Sequence, residues 1–95
     1  MKGYWIGRVT VTDPERYPHY IEAAKPAFAK YHARFLVRGG EFEAPEGEPR
    51  ERNVVIEFPD YETALACYHS PEYQAAAKIR QESSVSEQLI IKGVE

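Results

Sequence analysis

Apolar residues recur along this chain with a spacing that alternates between two residues and three to four. Tyr4 to Val11 is rich in β-formers and is bounded by Gly3 and Asp13-Pro14, which predicts a first strand. On a pleated strand Trp5, Gly7, Val9 and Val11 share one face, and Tyr4, Ile6, Arg8 and Thr10 the other. Asp13-Pro14-Glu15 then signals a helix start, with Asp as cap, Pro in the first turn and Glu favouring the dipole. Tyr17, Tyr20, Ile21, Ala24, Phe28 and Tyr31 recur at helical spacing and carry that helix to about His32. Pro18 suits the first turn, whereas Pro26 predicts a lost hydrogen bond and a kink.

Two nearly continuous apolar runs follow, Arg34-Phe-Leu-Val-Arg-Gly-Gly40 and Arg52-Asn-Val-Val-Ile-Glu-Phe58. The segment between them, Glu41 to Glu51, is rich in Pro, Gly and Glu, so the whole predicts a long β-hairpin. If it turns about Gly47, Arg38 and Glu57 fall opposite each other on one face. A bulge at Gly39-Gly40 would shift that register by one residue. Pro59-Asp60 ends the second strand. Tyr61 to His69 forms a helix with Tyr61, Ala64, Leu65 and Tyr68 on one face, and Ser70-Pro71-Glu72 restarts it as cap, first position and first-turn acid. Tyr73, Ala76, Ala77 and Arg80 continue one stripe to about Glu82. Val85 to Val94 holds the last strand, centred on Leu89-Ile-Ile91.

The order βαββαβ, joined by right-handed crossovers, gives an α+β, ferredoxin-like domain over residues 1–95. It has a four-stranded antiparallel sheet with both helices on one face. Val37, Ile56 and Phe58 can face one side while Leu36, Val55 and Ile90 face the other, so neither face has a solvated pattern. An uncovered apolar sheet face marks association, which predicts a homodimer packed sheet to sheet.

Composition narrows the function. With 43 % hydrophobic residues in 95, the chain can bury a core. A net charge of −3, mixed along the chain, argues against nucleic acid as partner. The fold order also describes RNA-recognition motifs, but Arg8-Val-Thr-Val11 and Val54-Val-Ile-Glu57 lack their paired aromatics. No run reaches the roughly 20 apolar residues of a membrane span, and Met1 to Arg8 has no signal-peptide core. The lone Cys67 has no disulfide partner in the chain, so a reducing cytoplasm is expected. His19, His32 and His69 have no ligand spacing, and Gly39-Gly40 lacks the ending of a phosphate loop. Neither a metal nor a nucleotide cofactor is expected.

Chemistry is expected first at Arg38 and Glu57. A guanidinium suits a carboxylate or enolate oxygen, and a nearby Glu can act as base. The alternative is that the two charges neutralise each other to hold the sheet register or the dimer. Tyr20, Tyr73 and Arg80 come next, on helix faces that meet the sheet, where a tyrosine can donate to a ligand oxygen. Core aromatics with a surface hydroxyl account equally for the tyrosines. Arg8, on the first strand, is a further anion contact.

The pieces Phe35-Leu-Val-Arg-Gly-Gly40, Glu46-Gly47, Val55-Ile-Glu-Phe58, Ser70-Pro-Glu-Tyr73 and Arg80, in this order, resemble the domain-of-unknown-function family 1330. His32 departs from the pattern, standing where a small residue, often Gly, is expected. The resemblance implies a dimeric α+β barrel, a superfamily that includes cofactor-independent monooxygenases, small isomerases and binding modules. Three classes stay open: a cofactor-independent enzyme acting on a small organic acid, a non-catalytic binder of a small anionic organic ligand, and a structural dimer.

Overall fold

The computed structural model describes residues 1–95. Strand β1 (Gly3–Val11) is central in the sheet and takes one antiparallel partner on each side. One is β3 (Arg52–Phe58), with Trp5 opposite Ile56. The other is β4 (Ser84–Lys92), with Trp5 opposite Ile90. Strand β2 (Arg34–Arg38) pairs antiparallel with β3 at the edge, giving the order β2-β3-β1-β4. Helix α1 (Tyr17–Lys30) joins β1 to β2. Helices α2 (Tyr61–His69) and α3 (Pro71–Ser83) join β3 to β4. This is the expected ferredoxin-like α+β arrangement, with the second helix in two pieces.

All three helices meet the same sheet face, around Trp5. Its indole, 2 % exposed, packs edge-on against Phe28 of α1, Tyr68 of α2 and Tyr73 of α3, and lies nearly parallel to Phe58 of β3. Such aromatic contacts add to the area each ring buries. Capping holds the starts of both α2 and α3. Asp60 accepts a hydrogen bond from Thr63 N–H, and Ser70 from Tyr73 N–H, each taking up an orphan donor of a first turn.

Helix α1 starts later than its Asp-Pro-Glu signal. Asp13 Oδ1 accepts from the N–H groups of Glu15 and Arg16, which holds a preceding turn, and helical structure begins at Tyr17 with Pro18 in its first turn. Pro26 lies inside α1, and the helix runs through it from Tyr17 to Lys30. Both Pro26 and Glu22 lie on the exposed side, where water can serve the carbonyl that Pro26 leaves unpaired. The helix ends before His32, which adopts φ of 62°. Ala33 N–H donates to Phe28 C=O and His32 N–H to Ala29 C=O, the paired closure of a Schellman motif.

The hairpin differs from its expected register. Arg34 lies opposite Glu57, Phe35 opposite Ile56, Val37 opposite Val55 and Arg38 opposite Val54, with a bulge at Leu36 instead of at Gly39-Gly40. The extra residue turns Val37 to the helix-free face and Arg38 to the helix face. Arg38 and Glu57 therefore point to opposite sides of the sheet. Ile90 corrects the other way, since its partner Trp5 places it against the helices.

Candidate functional site

A cavity of about 110 Å³ lies between α1 and the helix face of the sheet. That is several times the roughly 10–15 Å³ one water needs. Its floor is Trp5, Gly7 and Val9 of β1, Val54 and Ile56 of β3, and Phe35 of β2. Its roof is the α1 stripe Tyr17, Tyr20, Ile21, Ala24 and Phe28. The helical period of α1 brings these side chains to one line over the pleat.

The polar groups in its walls are lopsided. Lys25, Arg38 and Arg52 contribute cations, and no Asp, Glu or His lines the space. Lys25 ion-pairs with Glu22 at 3.1 Å, out in solvent. Arg38 and Arg52 have no carboxylate within ion-pair distance. Arg38 stacks on Phe35, its guanidinium carbon 3.9 Å from the ring centroid. Arg52 lies 6.0 Å from the centroid of Tyr17, and its buried Nε has no hydrogen-bond partner.

Two polar arrangements border the space. Trp5 Nε1–H donates to Gln88 Oε1 at 2.6 Å. Gln88 stands opposite Gly7, where any Cβ would come within 2.7 Å of that oxygen, so the missing side chain makes room for the bond. On the α3 side, Tyr20 and Tyr73 hydroxyls lie 2.7 Å apart, and Arg80 Nη1 donates to Tyr73 Oη at 2.7 Å. Arg80 is 3 % exposed, has no carboxylate partner, and its Nε is also unpaired. Burial pushes both phenols above their ordinary pKa, so they keep their protons.

The expected site residues separate into three places. Tyr20, Tyr73 and Arg80 come together as a connected chain. Arg38 joins the cavity wall. Glu57 does not: on the opposite face it sits between Tyr4 and Arg34, 3.9 Å from Lys2. Arg8 is also on that face, ion-paired with Glu87 at 3.1 Å and hydrogen-bonded to the Glu48 carbonyl. Arg52, Tyr17, Lys25 and Gln88 were not anticipated. Arg52 carried a usable signal, two residues before Val54 and four before Ile56 and so on their face. Gln88 shares the face of Ile90 by the same alternation, but its bond to Trp5 depends on the β1–β4 register.

Solved structures share this architecture. RPA0582, a protein of unknown function from Rhodopseudomonas palustris, has a TM-score of 0.75 at 18 % identity, covering 99 % of this chain and 83 % of that one. A dimeric ferredoxin-like protein of unknown function from Jannaschia sp. CCS1 has a TM-score of 0.72 at 13 % identity, with both chains fully covered at 100 %. SnoaB, a cofactor-independent oxygenase from Streptomyces nogalater, has a TM-score of 0.66 at 17 % identity, covering 99 % of this chain and 94 % of that one. At these identities the likeness establishes the fold alone. No curated protein matches the chain. The family model described as domain of unknown function (DUF1330) matches residues 2–94, nearly the whole of the sheet and helices described above, and the chain belongs to that family.

Proposed function

We propose that this domain binds a small, mainly apolar organic anion in the cavity beneath α1. One observation carries this: the walls supply aromatic and aliphatic surface and three cations, with no carboxylate or imidazole among them. In an apolar setting a guanidinium without a counter-ion favours an anion that brings both charge and apolar surface. Arg52, half-buried with an unpaired Nε, is its inner charge contact, and Arg38, exposed at the rim, is the outer one. Glu57, on the far face, has no part in this site and belongs to the sheet surface.

Isothermal titration of benzoate and 2-naphthoate, each beside its neutral amide, tests the site. The acids bind about tenfold or more tighter than the amides, the equivalent of one charge-assisted hydrogen bond, and Arg52→Met closes most of that gap. Equal binding of acid and amide, or binding of neither, refutes the anion site. If the bound molecule is turned over, catalysis would come from stabilising its anion, because no side chain lining the cavity is an evident general base. That is the form in which the cofactor-independent enzyme reading survives; binding without turnover is the alternative.

The helix-free face supports a homodimer. The register aligns Val37, Val55, Ile6 and Leu89 in one row across all four strands, with Tyr4 and Ile91 in the next. Leu89 and Ile91 are half exposed. An apolar row of this kind, packed on its copy, would bury Glu57 beside the partner sheet. The same packing would cover the Arg8–Glu87 pair. The fully buried lone thiol of Cys67 is compatible with a reducing cytoplasm.

A further inference from the structure

We propose that Tyr20 presents its hydroxyl proton to the ligand, and that Tyr73 and Arg80 fix that direction, which makes the site an oxyanion-holding one. The inference rests on the anion cavity and adds the donor and the ligand class: a phenolate, enolate or carboxylate oxygen next to an apolar body.

Proton accounting at the buried Tyr73 hydroxyl carries it. A guanidinium donates and cannot accept, so Arg80 occupies one acceptor position of Tyr73 Oη at 2.7 Å. Tyr73 is fully buried, and its hydroxyl has only Arg80 and Tyr20 as partners. Its own proton has one acceptor available, Tyr20 Oη. Tyr20 then cannot return its proton to Tyr73. Of the three residues only Tyr20, half-buried, lines the cavity, and in the proposed arrangement its free O–H goes to the ligand there. Chains in which each hydroxyl accepts before it donates are polarised along their length.

The charge at the far end points the same way. Arg80 is buried with an unpaired Nε and no carboxylate, compensated by the Tyr73 bond and by the Tyr20 and Tyr73 rings at 5.9 and 6.0 Å. An under-compensated buried cation calls for an explanation. An oxyanion accepting from Tyr20 supplies negative charge three hydrogen bonds away. A weakly acidic phenol or enol bound there releases its proton to water more readily, with its oxygen held by Tyr20 and the nearby arginines.

The test uses 4-nitrophenol, whose anion is coloured, titrated with pH in the protein-bound state, with 2-naphthoate affinity measured in parallel. The wild type lowers the pKa of the bound phenol below that of the free one. Tyr20→Phe reverses roughly one unit of that shift and weakens naphthoate about tenfold. Tyr73→Phe has a smaller effect, and none in the Tyr20→Phe background, because it acts only through Tyr20. Should Tyr20→Phe fail to fold, 3-fluorotyrosine at position 20 makes the donor more acidic and lowers the bound phenol's pKa further. Naphthoate binding that depends on Arg52 yet ignores Tyr20 and Tyr73 overturns this inference and leaves the anion site standing. A fluorotyrosine protein with an unchanged or raised phenol pKa also overturns it, and the absence of binding by either probe overturns both.

Discussion

Gly7→Ala gives a direct test of how the sheet borders the cavity. The new methyl would sit 2.7 Å from Gln88 Oε1, the atom that accepts the Trp5 indole N–H. Gln88 is a flexible side chain and can move, but moving breaks that bond. Trp5 is 2 % exposed, so its N–H is then left unpaired in the core, at about 1–3 kcal/mol. Gly to Ala in a compatible extended strand returns roughly 0.4–1 kcal/mol by restricting the unfolded chain. The net expectation is a loss of about 1–2 kcal/mol. Gln88→Ala alone removes the same bond and costs a similar amount. In that background the methyl meets no oxygen, so Gly7→Ala becomes neutral or stabilising by roughly 0.4–1 kcal/mol. The sign change is the diagnostic, a coupling of about 2 kcal/mol between the two sites. Urea unfolding followed by fluorescence of the single tryptophan reads it. Protein concentration must be held constant, since an oligomer's apparent stability varies with it. If Gly7→Ala costs the same with and without Gln88, the methyl meets something other than this side chain and the assigned geometry is wrong.

Further expectations concern the helix end, the thiol, the acid limb and the open sheet. His32→Gly relieves a left-handed backbone worth about 1–2 kcal/mol for an L-residue, less the entropy Gly adds to the unfolded chain; a modest rise in melting temperature is expected, and a fall refutes it. Burial pushes the Cys67 thiol from 9.0 up to about 12, so its contribution is fully present below pH 9.0 and is lost as pH rises toward 12. Native protein at pH 8 should accordingly resist iodoacetamide until it unfolds, whereas fast labelling would show that the thiol is accessible. Hydrogen bonding to Lys30 lowers Glu72, and hydrogen bonding to Arg50 lowers Glu87, each from 4.5. That stability is present above pH 4.5 and lost as pH falls through the lowered values, so Glu72→Gln should flatten the acid limb of the melting curve. Leu89→Glu places a charge in the apolar row and should shift light scattering from dimer toward monomer; an unchanged mass removes this face from the interface.

Much of the fold could be read locally. Tyr73, Ala76, Ala77 and Arg80 were placed on one stripe by helical period alone, and all four are buried. Ser70 was legible as a cap because the Ser-Pro-Glu order has a physical meaning at each position. The apolar stripe also brought α1 to its end at about His32, the residue that closes it in the left-handed conformation usually taken by glycine.

The site was legible only where neighbours in sequence are neighbours in space. Period-two patterning states which residues of a strand share a face, but a bulge resets it without changing composition. Leu36 is such a reset: one extra residue sends Arg38 to the cavity and leaves Glu57 on the far side, which dissolves the pair that local spacing suggested. Arg52 could have been assigned from its alternation with Val54 and Ile56. Gln88 required the β1–β4 register, a contact across 83 positions to Trp5 that no local pattern encodes. The Tyr20–Tyr73–Arg80 chain is intermediate: type and helix face were readable, but the direction of its protons was not. The proposed direction follows from Tyr73 alone, where burial removes water as a partner and leaves its proton one acceptor, Tyr20 Oη.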